Sequence, residues 1–413
     1  MSTNAMLRCA VLSLATLCLS LVVAPAAFGQ GPGSDIGVGA GIFRPKNPET
    51  KKSNKPATGT KPAGRTTGPA RPRASAVAER VEELLDKGNE ARDVRKFADA
   101  ETSYKEALKL KPRDARAAYG LGNVYSDQQR WDEAEGAYRN SVAWAPTDAD
   151  AHVALSVVLV QPSTGGDNAR RFADAETFAR RAVQLDPKNA VGWDRLGVAL
   201  QARGLTNSET EHSYRRAIEL DPQFAVAYAH LARMLNRANR GPEAAPMYDK
   251  ATELAKDPAT LNLIAESLQG EQLWQQSETV IKRALELDAQ NPTSLLLMGR
   301  LLVVNKRYQD AEPFLKSATE ASSRAFQPFN LLGRAYLGMD RYSDAEATYE
   351  RASAVAATGE KKQLAGIFGF EGVGDGYLKS NQKDKAIRAY QRALELDPNN
   401  NGAAQKLARA RAN

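Results

Sequence analysis

Cysteine is nearly missing: the 413-residue chain has only Cys9 and Cys18, and none after residue 18. Beyond that point there is no disulfide, no thiol nucleophile and no thiolate metal site. Histidine is as scarce, with His152, His212 and His230 only, and no two stand four apart on one helix face. That spacing argues against a structural zinc site, and no metal or other cofactor is expected. Aromatics make up 7% of the chain, which suits helices better than sheets and leaves little for stacking nucleic-acid bases. Glycine-rich "GVGAG" (37–41) has no strand before it and no helix after it, so it is no dinucleotide loop.

Charge of one sign is also missing from most of the chain. The net charge is +7, but residues 31–75 hold nine Lys/Arg against Asp35 and Glu49, itself +7, and Arg8 adds one more. Residues 76–413 therefore carry about −1, and the basicity belongs to a short segment rather than to the folded body. A nucleic-acid-binding function loses its support, and no nucleic acid is expected as a partner.

Long apolar runs are confined to "VLSLATLCLSLVV" (11–23), shorter than the roughly 20 residues of a membrane span. With Arg8 before it and small residues in "APA" and "AFG" after it, 1–29 reads as an export signal. An uncleaved N-terminal anchor is the alternative. The protein is expected to be exported, to a periplasmic or extracellular place if bacterial. Residues 30–75, rich in Gly, Pro, Lys and Thr, are expected to form a disordered or polyproline-like linker. That linker is either a solvated tether or a basic segment for anionic lipid, glycan or cell-wall polymer, giving peripheral membrane or envelope association through 31–75. Deleting 31–75 separates the two, since only loss of an anchor abolishes envelope association.

From Val77 onward helical patterning is continuous, and one phrase returns. "TSYKEALKLKPRD" (102–114), "TFARRAVQLDPKN" (177–189), "HSYRRAIELDPQF" (212–224), "TVIKRALELDAQN" (279–291) and "RAYQRALELDPNN" (388–400) are variants of it. Each has a matching upstream half: Leu121-Gly122, Tyr125, Ala134 and Tyr138 in one unit, Val373-Gly374, Tyr377, Ala386 and Tyr390 in another. The period is about 34 residues, and nine units fall in register.

This pattern resembles the tetratricopeptide repeat family from about residue 81 to 400. The resemblance implies an all-α, right-handed superhelical solenoid of about nine helix-turn-helix repeats over 76–400, closed by a capping helix over 401–413. Such units are too small to bury an apolar face alone, so they bury it against each other. Three departures stand out. "QPSTGGDNARR" (161–171) reads as a long exposed turn, "GPEAAP" (241–246) as a poor helix start, and 360–366 as a spacer. With Gly372 and Gly376 added, the joint before the last repeat is expected to be the softest.

No enzyme is expected, because the repeats leave no uncovered stretch for a catalytic domain. The recurring acids of "FADAE" (97–101 and 172–176) sit in helix first turns, where they complement the macrodipole. The resemblance implies a non-catalytic scaffold that binds a peptide or protein surface on the concave face built by the first helices. The residue after each "Leu-Gly" pair lies on that face: Asn89, Asn123, Arg233, Glu266, Arg300 and Arg334, with Asn262 and Asn330 four positions before two of them. Arginines beside amides suit an acidic or carboxylate-bearing partner. The family's clamp for chaperone C-terminal carboxylates is not present, since Leu85, Asp150 and Ala154 stand where its basic residues belong.

Overall fold

The computed structural model describes residues 46–50, 73–163 and 167–412. The segment read as an export signal, and most of the basic stretch, lie outside the described residues. Nine helix pairs follow one another. They begin with α1 (Arg73–Asp93) and α2 (Phe97–Leu110), α3 (Ala115–Asp127) and α4 (Trp131–Trp144), then α5 (Ala149–Leu159) and α6 (Asn168–Leu185). The middle pairs are α7 (Ala190–Ala202) with α8 (Ser208–Leu220), α9 (Ala225–Arg237) with α10 (Gly241–Leu254), and α11 (Pro258–Gly270) with α12 (Trp274–Leu287). Then come α13 (Pro292–Val304) with α14 (Tyr308–Ala321) and α15 (Phe326–Gly338) with α16 (Tyr342–Val355). After the single helix α17 (Thr358–Ala365), the last pair is α18 (Phe370–Lys379) and α19 (Lys383–Leu396), and α20 (Asn401–Ala412) covers its end.

Each helix packs mainly on its partner and on the next pair, so the core is a continuous seam rather than a centre. Local chemistry sets the joints. Within pairs the turn passes through a left-handed residue, Arg95, Gln129, Asn239, Gln272, Lys306, Asp340 or Asn381, and Gly204 in the fourth pair. The chain then closes a Schellman bond, as where Arg130 N donates to Tyr125 O at 2.9 Å. Between pairs, α2, α6, α8 and α19 stop at a Leu two residues before proline, and an Asp or Asn caps α3, α5, α7, α11 and α13. Asp114 accepts from Arg116 N at 3.0 Å, and Asn291 from Ser294 N at 3.1 Å. Along the second helices, Ala100, Ala134, Ala217, Ala311, Ala345 and Ala386 are fully buried.

An ion-pair ladder ties successive second helices. Arg130, Arg240, Arg307 and Arg341 each reach back 29 residues to Glu101, Glu211, Glu278 and Glu312. The same arginines also hold the acid three residues on, Glu133, Glu243, Asp310 and Asp344. The acids of the repeated phrase are therefore joints between repeats as well as partners of the helix dipole. Each pair is half-exposed and individually worth little.

The three departures take distinct forms. Part of 161–171 is an extra helical turn: α6 begins at Asn168, and buried Arg171 donates to the carbonyls of Gln161 (2.7 Å) and Val158 (3.3 Å) at the end of α5. "GPEAAP" is helical from Gly241, with Pro242 in the first turn, where a missing N–H costs nothing, but the start has no side-chain cap and Pro246 lies inside the helix. The 360–366 spacer is helical, within α17. Gly372 and Gly376 are places of close approach, since a Cβ would strike the Ile367 carbonyl and the Tyr342 ring respectively. At that joint both glycines are required by packing.

Candidate functional site

The first helices present a face whose best-defined part spans α1 and α3. Asn89 and Asn123 stand one repeat apart, and each is locked from behind. Tyr104 Oη donates to Asn89 Oδ1 at 2.7 Å, and Tyr138 Oη to Asn123 Oδ1 at 2.8 Å. A tyrosine that takes the amide oxygen leaves the amide NH₂ aimed outward as a donor. In the last repeat Asp375 holds the same place and accepts from Tyr390 Oη at 2.7 Å.

Both NH₂ groups are occupied, by this chain's own Lys46–Thr50. Asn123 Nδ2 donates to Lys46 O at 2.9 Å and Asn89 Nδ2 to Pro48 O at 3.1 Å. Arg116, tied to Glu82 through two bonds of 2.9 and 2.8 Å, also donates to Glu49 O at 3.1 Å. The Asn47 side chain is read at both ends. Arg92 donates to its Oδ1 at 2.9 Å, and its Nδ2 donates to both Asp93 carboxylate oxygens, at 3.1 and 3.0 Å. Arg92 is itself only 1% exposed and set by Asp127, through bonds of 2.8 and 3.2 Å. Pro48 is buried. A structureless linker throughout 30–75 is thus not what Lys46–Thr50 shows. The five residues have no regular secondary structure, yet they are held by α1 and α3.

The arginine ladder is placed otherwise. Arg233 is 3% exposed, donates to Gln201 at 3.4 Å and acts on the charge of Asp194, so it is engaged within the packing of α7 and α9. The packing of α7 against α9 draws it toward a buried cluster around Asp194. There Asp194 Oδ1 meets His230 Nδ1 at 2.8 Å, and Arg195 lies 3.3 Å from Oδ2. Burial works to raise the Asp194 carboxyl, but His230, Arg195 and Arg233 outweigh it and hold it below the usual range. Burial likewise lowers the His230 imidazole against the pull of Asp194. A neutral imidazole beside a carboxylate must donate through Nδ1–H.

Arg300 donates to Gln269 at 2.8 Å and lies 3.8 Å from Glu266. Arg334 stacks its guanidinium 4.7 Å over the Phe368 ring, and burial lowers its pKa. Asn262 donates to Asn291 at 3.1 Å and accepts from Ser294 at 2.8 Å, so it serves the cap of α13. Asn330 is 5% exposed. Of the eight residues singled out from sequence, only Asn89 and Asn123 converge on a peptide. Arg92, Asp93 and Arg116 were missed. Their helix periodicity marks them as ordinary end-of-helix charges, and nothing in the sequence pairs them with residues 46–49.

Among the described residues no group of three or more His, Cys, Asp or Glu is placed to hold a metal ion, and no helix is long and apolar enough to cross a membrane.

Three models of the family described as tetratricopeptide repeat match the chain. One covers residues 85–151 and 262–325, one 329–363 and one 369–400. The chain is a tetratricopeptide repeat protein. Among solved tetratricopeptide-type structures, yeast Tom70 is similar with a TM-score of 0.55 and 15% identity, over 90% of this chain and 72% of that one. A fragment of MamA from Desulfovibrio magneticus RS-1 has a TM-score of 0.37 and 18% identity, over 43% of this chain and 95% of that one. YrrB, described as a TPR protein with an unusual peptide-binding site, has 0.38 and 18%, over 47% and 97%. The likeness to Tom70 is one of fold. Against curated proteins the chain finds no match. Tetratricopeptide repeat proteins are typically non-catalytic, and this fold supports a protein-interaction scaffold with protein or peptide partners.

Proposed function

We propose that this tetratricopeptide protein is a non-catalytic scaffold that takes an extended partner segment on its first-helix face, with Asn89 and Asn123 as the pair that reads the segment's backbone. The observation that carries this is the donation from the two amides to Lys46 O and Pro48 O, alternate carbonyls of one extended stretch. Carbonyls two residues apart on an extended chain lie about 6.5–7 Å apart and point to the same side. Two asparagines one repeat apart can therefore read any extended segment regardless of its side chains.

The test replaces both with Asp. Asp375 shows that a carboxylate in this place still accepts the tyrosine hydroxyl, so the fold is retained while the donor becomes a repelling oxygen. With each lost bond costing about 1 kcal/mol or more, Asn89→Asp with Asn123→Asp should weaken binding to an array of nine-residue peptides by about tenfold or more. Unchanged capture of the same peptides means the face is not the peptide site.

We further propose export of the chain, on the strength of Arg8, the 11–23 apolar run and the small residues at 24–29. Intact-mass measurement of secreted protein should then place the new N-terminus near Ala27 or Gln30. A mass that includes Met1 or Met6 rules this out.

A further inference from the structure

We propose that the groove between α1 and α3 is a receptor for an Asn-Pro segment, and that Asn47-Pro48 of this same chain is its resident occupant, which a partner must displace. The proposal rests on the reading of the first-helix face as a peptide site, and adds to it a side-chain specificity and a competitor.

Backbone bonds from Asn89 and Asn123 would accept any extended sequence, but three features select this one. Asn47 offers an acceptor to Arg92 and a donor to Asp93 at once, which only a carboxamide of this length does. An Asp there would face Asp93 with like charge, and a Lys would face Arg92. Pro48 is buried, and a proline holds the residue before it in the extended region. That conformation presents the carbonyls of residues 46 and 48 to the two asparagines. Lys46 brings its charge toward Asp150 on α5, where it counters the rise that burial and Asp148 impose on that carboxyl. Asp150 stands where a carboxylate clamp would carry a basic residue. The N-terminal groove therefore favours a basic residue followed by Asn-Pro, not an acidic tail.

The occupant can come from the same chain. Twenty-two residues separate Thr50 from Arg73, a length that reaches up to about 70 Å. Along α1, Arg73 to Asn89 rises only about 24 Å. A ligand attached through such a length is presented at an effective concentration on the order of millimolar. A weak site is then mostly filled, and the apparent affinity for any incoming peptide falls by the fraction left open.

The experiment uses a fluorescein-labelled peptide of residues 44–52, RPKNPETKK, and the full chain. Asn47→Ala with Pro48→Ala lies outside the helices and disables only the resident ligand. Fluorescence anisotropy should show this variant binding the labelled peptide about tenfold tighter than the wild type does. Adding Asn123→Asp, or Arg92→Ala, to it should abolish that gain. Equal affinity of wild type and variant overturns self-occupancy, as does failure of the variant to bind. If array peptides still depend on Asn89 and Asn123 in that case, the scaffold reading stands and only the resident ligand falls. A wild-type affinity that rises on dilution of the protein means that a second copy supplies the segment, which overturns the intramolecular assignment.

Discussion

Replacing Asp194 with Ala should cost the solenoid about 3–5 kcal/mol locally. The carboxylate is 0% exposed and lies within a cluster of buried groups, with His230 at 1%, Arg195 at 3% and Arg233 at 3%. Removing the carboxylate takes away the hydrogen-bond acceptor of His230 and a negative charge that both guanidinium groups face in the packing of α7 and α9. Asp194→Asn should cost less, because an amide oxygen still accepts from His230 Nδ1–H. In a repeat array contacts run only between neighbours, so unfolding is not all-or-none. The loss should appear as faster hydrogen exchange over α7–α9, with α1–α4 little changed. Equal protection in wild type and Asp194→Ala would show that the cluster contributes nothing net.

One substitution should act with opposite signs at two positions in the second repeat. At Gly122 on α3 a Cβ would stand 2.5 Å from the Tyr138 ring. That ring cannot yield, since it is 0% exposed and its hydroxyl is tied to Asn123 and Ser126. Gly122→Ala should therefore cost about 1–3 kcal/mol through overpacking. At Gly136 on α4 nothing lies within 4 Å of a Cβ. There Gly136→Ala should stabilise the helix by up to about 1 kcal/mol. Urea midpoints followed by circular dichroism read both. Shifts of the same sign at the two positions would refute the close approach of α3 to the Tyr138 ring. Because Tyr138 also orients Asn123, Gly122→Ala should weaken peptide capture as well.

The helix pairs, their period and most of their boundaries could be read from residues alone. Each rests on chemistry that acts over a few positions: proline two residues past a leucine, an Asp or Asn cap, glycine or alanine facing a tyrosine at repeat spacing. At the two departures read as weaknesses, "GPEAAP" and the Gly372–Gly376 joint, the neighbours add what residues alone do not show: Pro242 lies in a first turn, and the two glycines lie at close contacts. A proline in a first turn costs no hydrogen bond, whereas Pro246 inside the same helix does, and only the helix boundary shows which case holds. Arg233 shows the same limit in the candidate site. Its place after the small residue matches Asn89 and Asn123, yet its charge acts on Asp194, 39 positions earlier.

What the sequence determined by itself is therefore the repeat, since it follows from periodicity along the chain, while the first-helix face was implied by the resemblance. What only the tertiary structure decided is who occupies that face. Lys46 meets Asn123 across 77 residues and Pro48 meets Asn89 across 41. No helical or turn propensity links positions so far apart. The contact exists because Tyr104 and Tyr138 turn two amides toward the Lys46 and Pro48 carbonyls, and Asp127 holds Arg92 where the Asn47 side chain arrives.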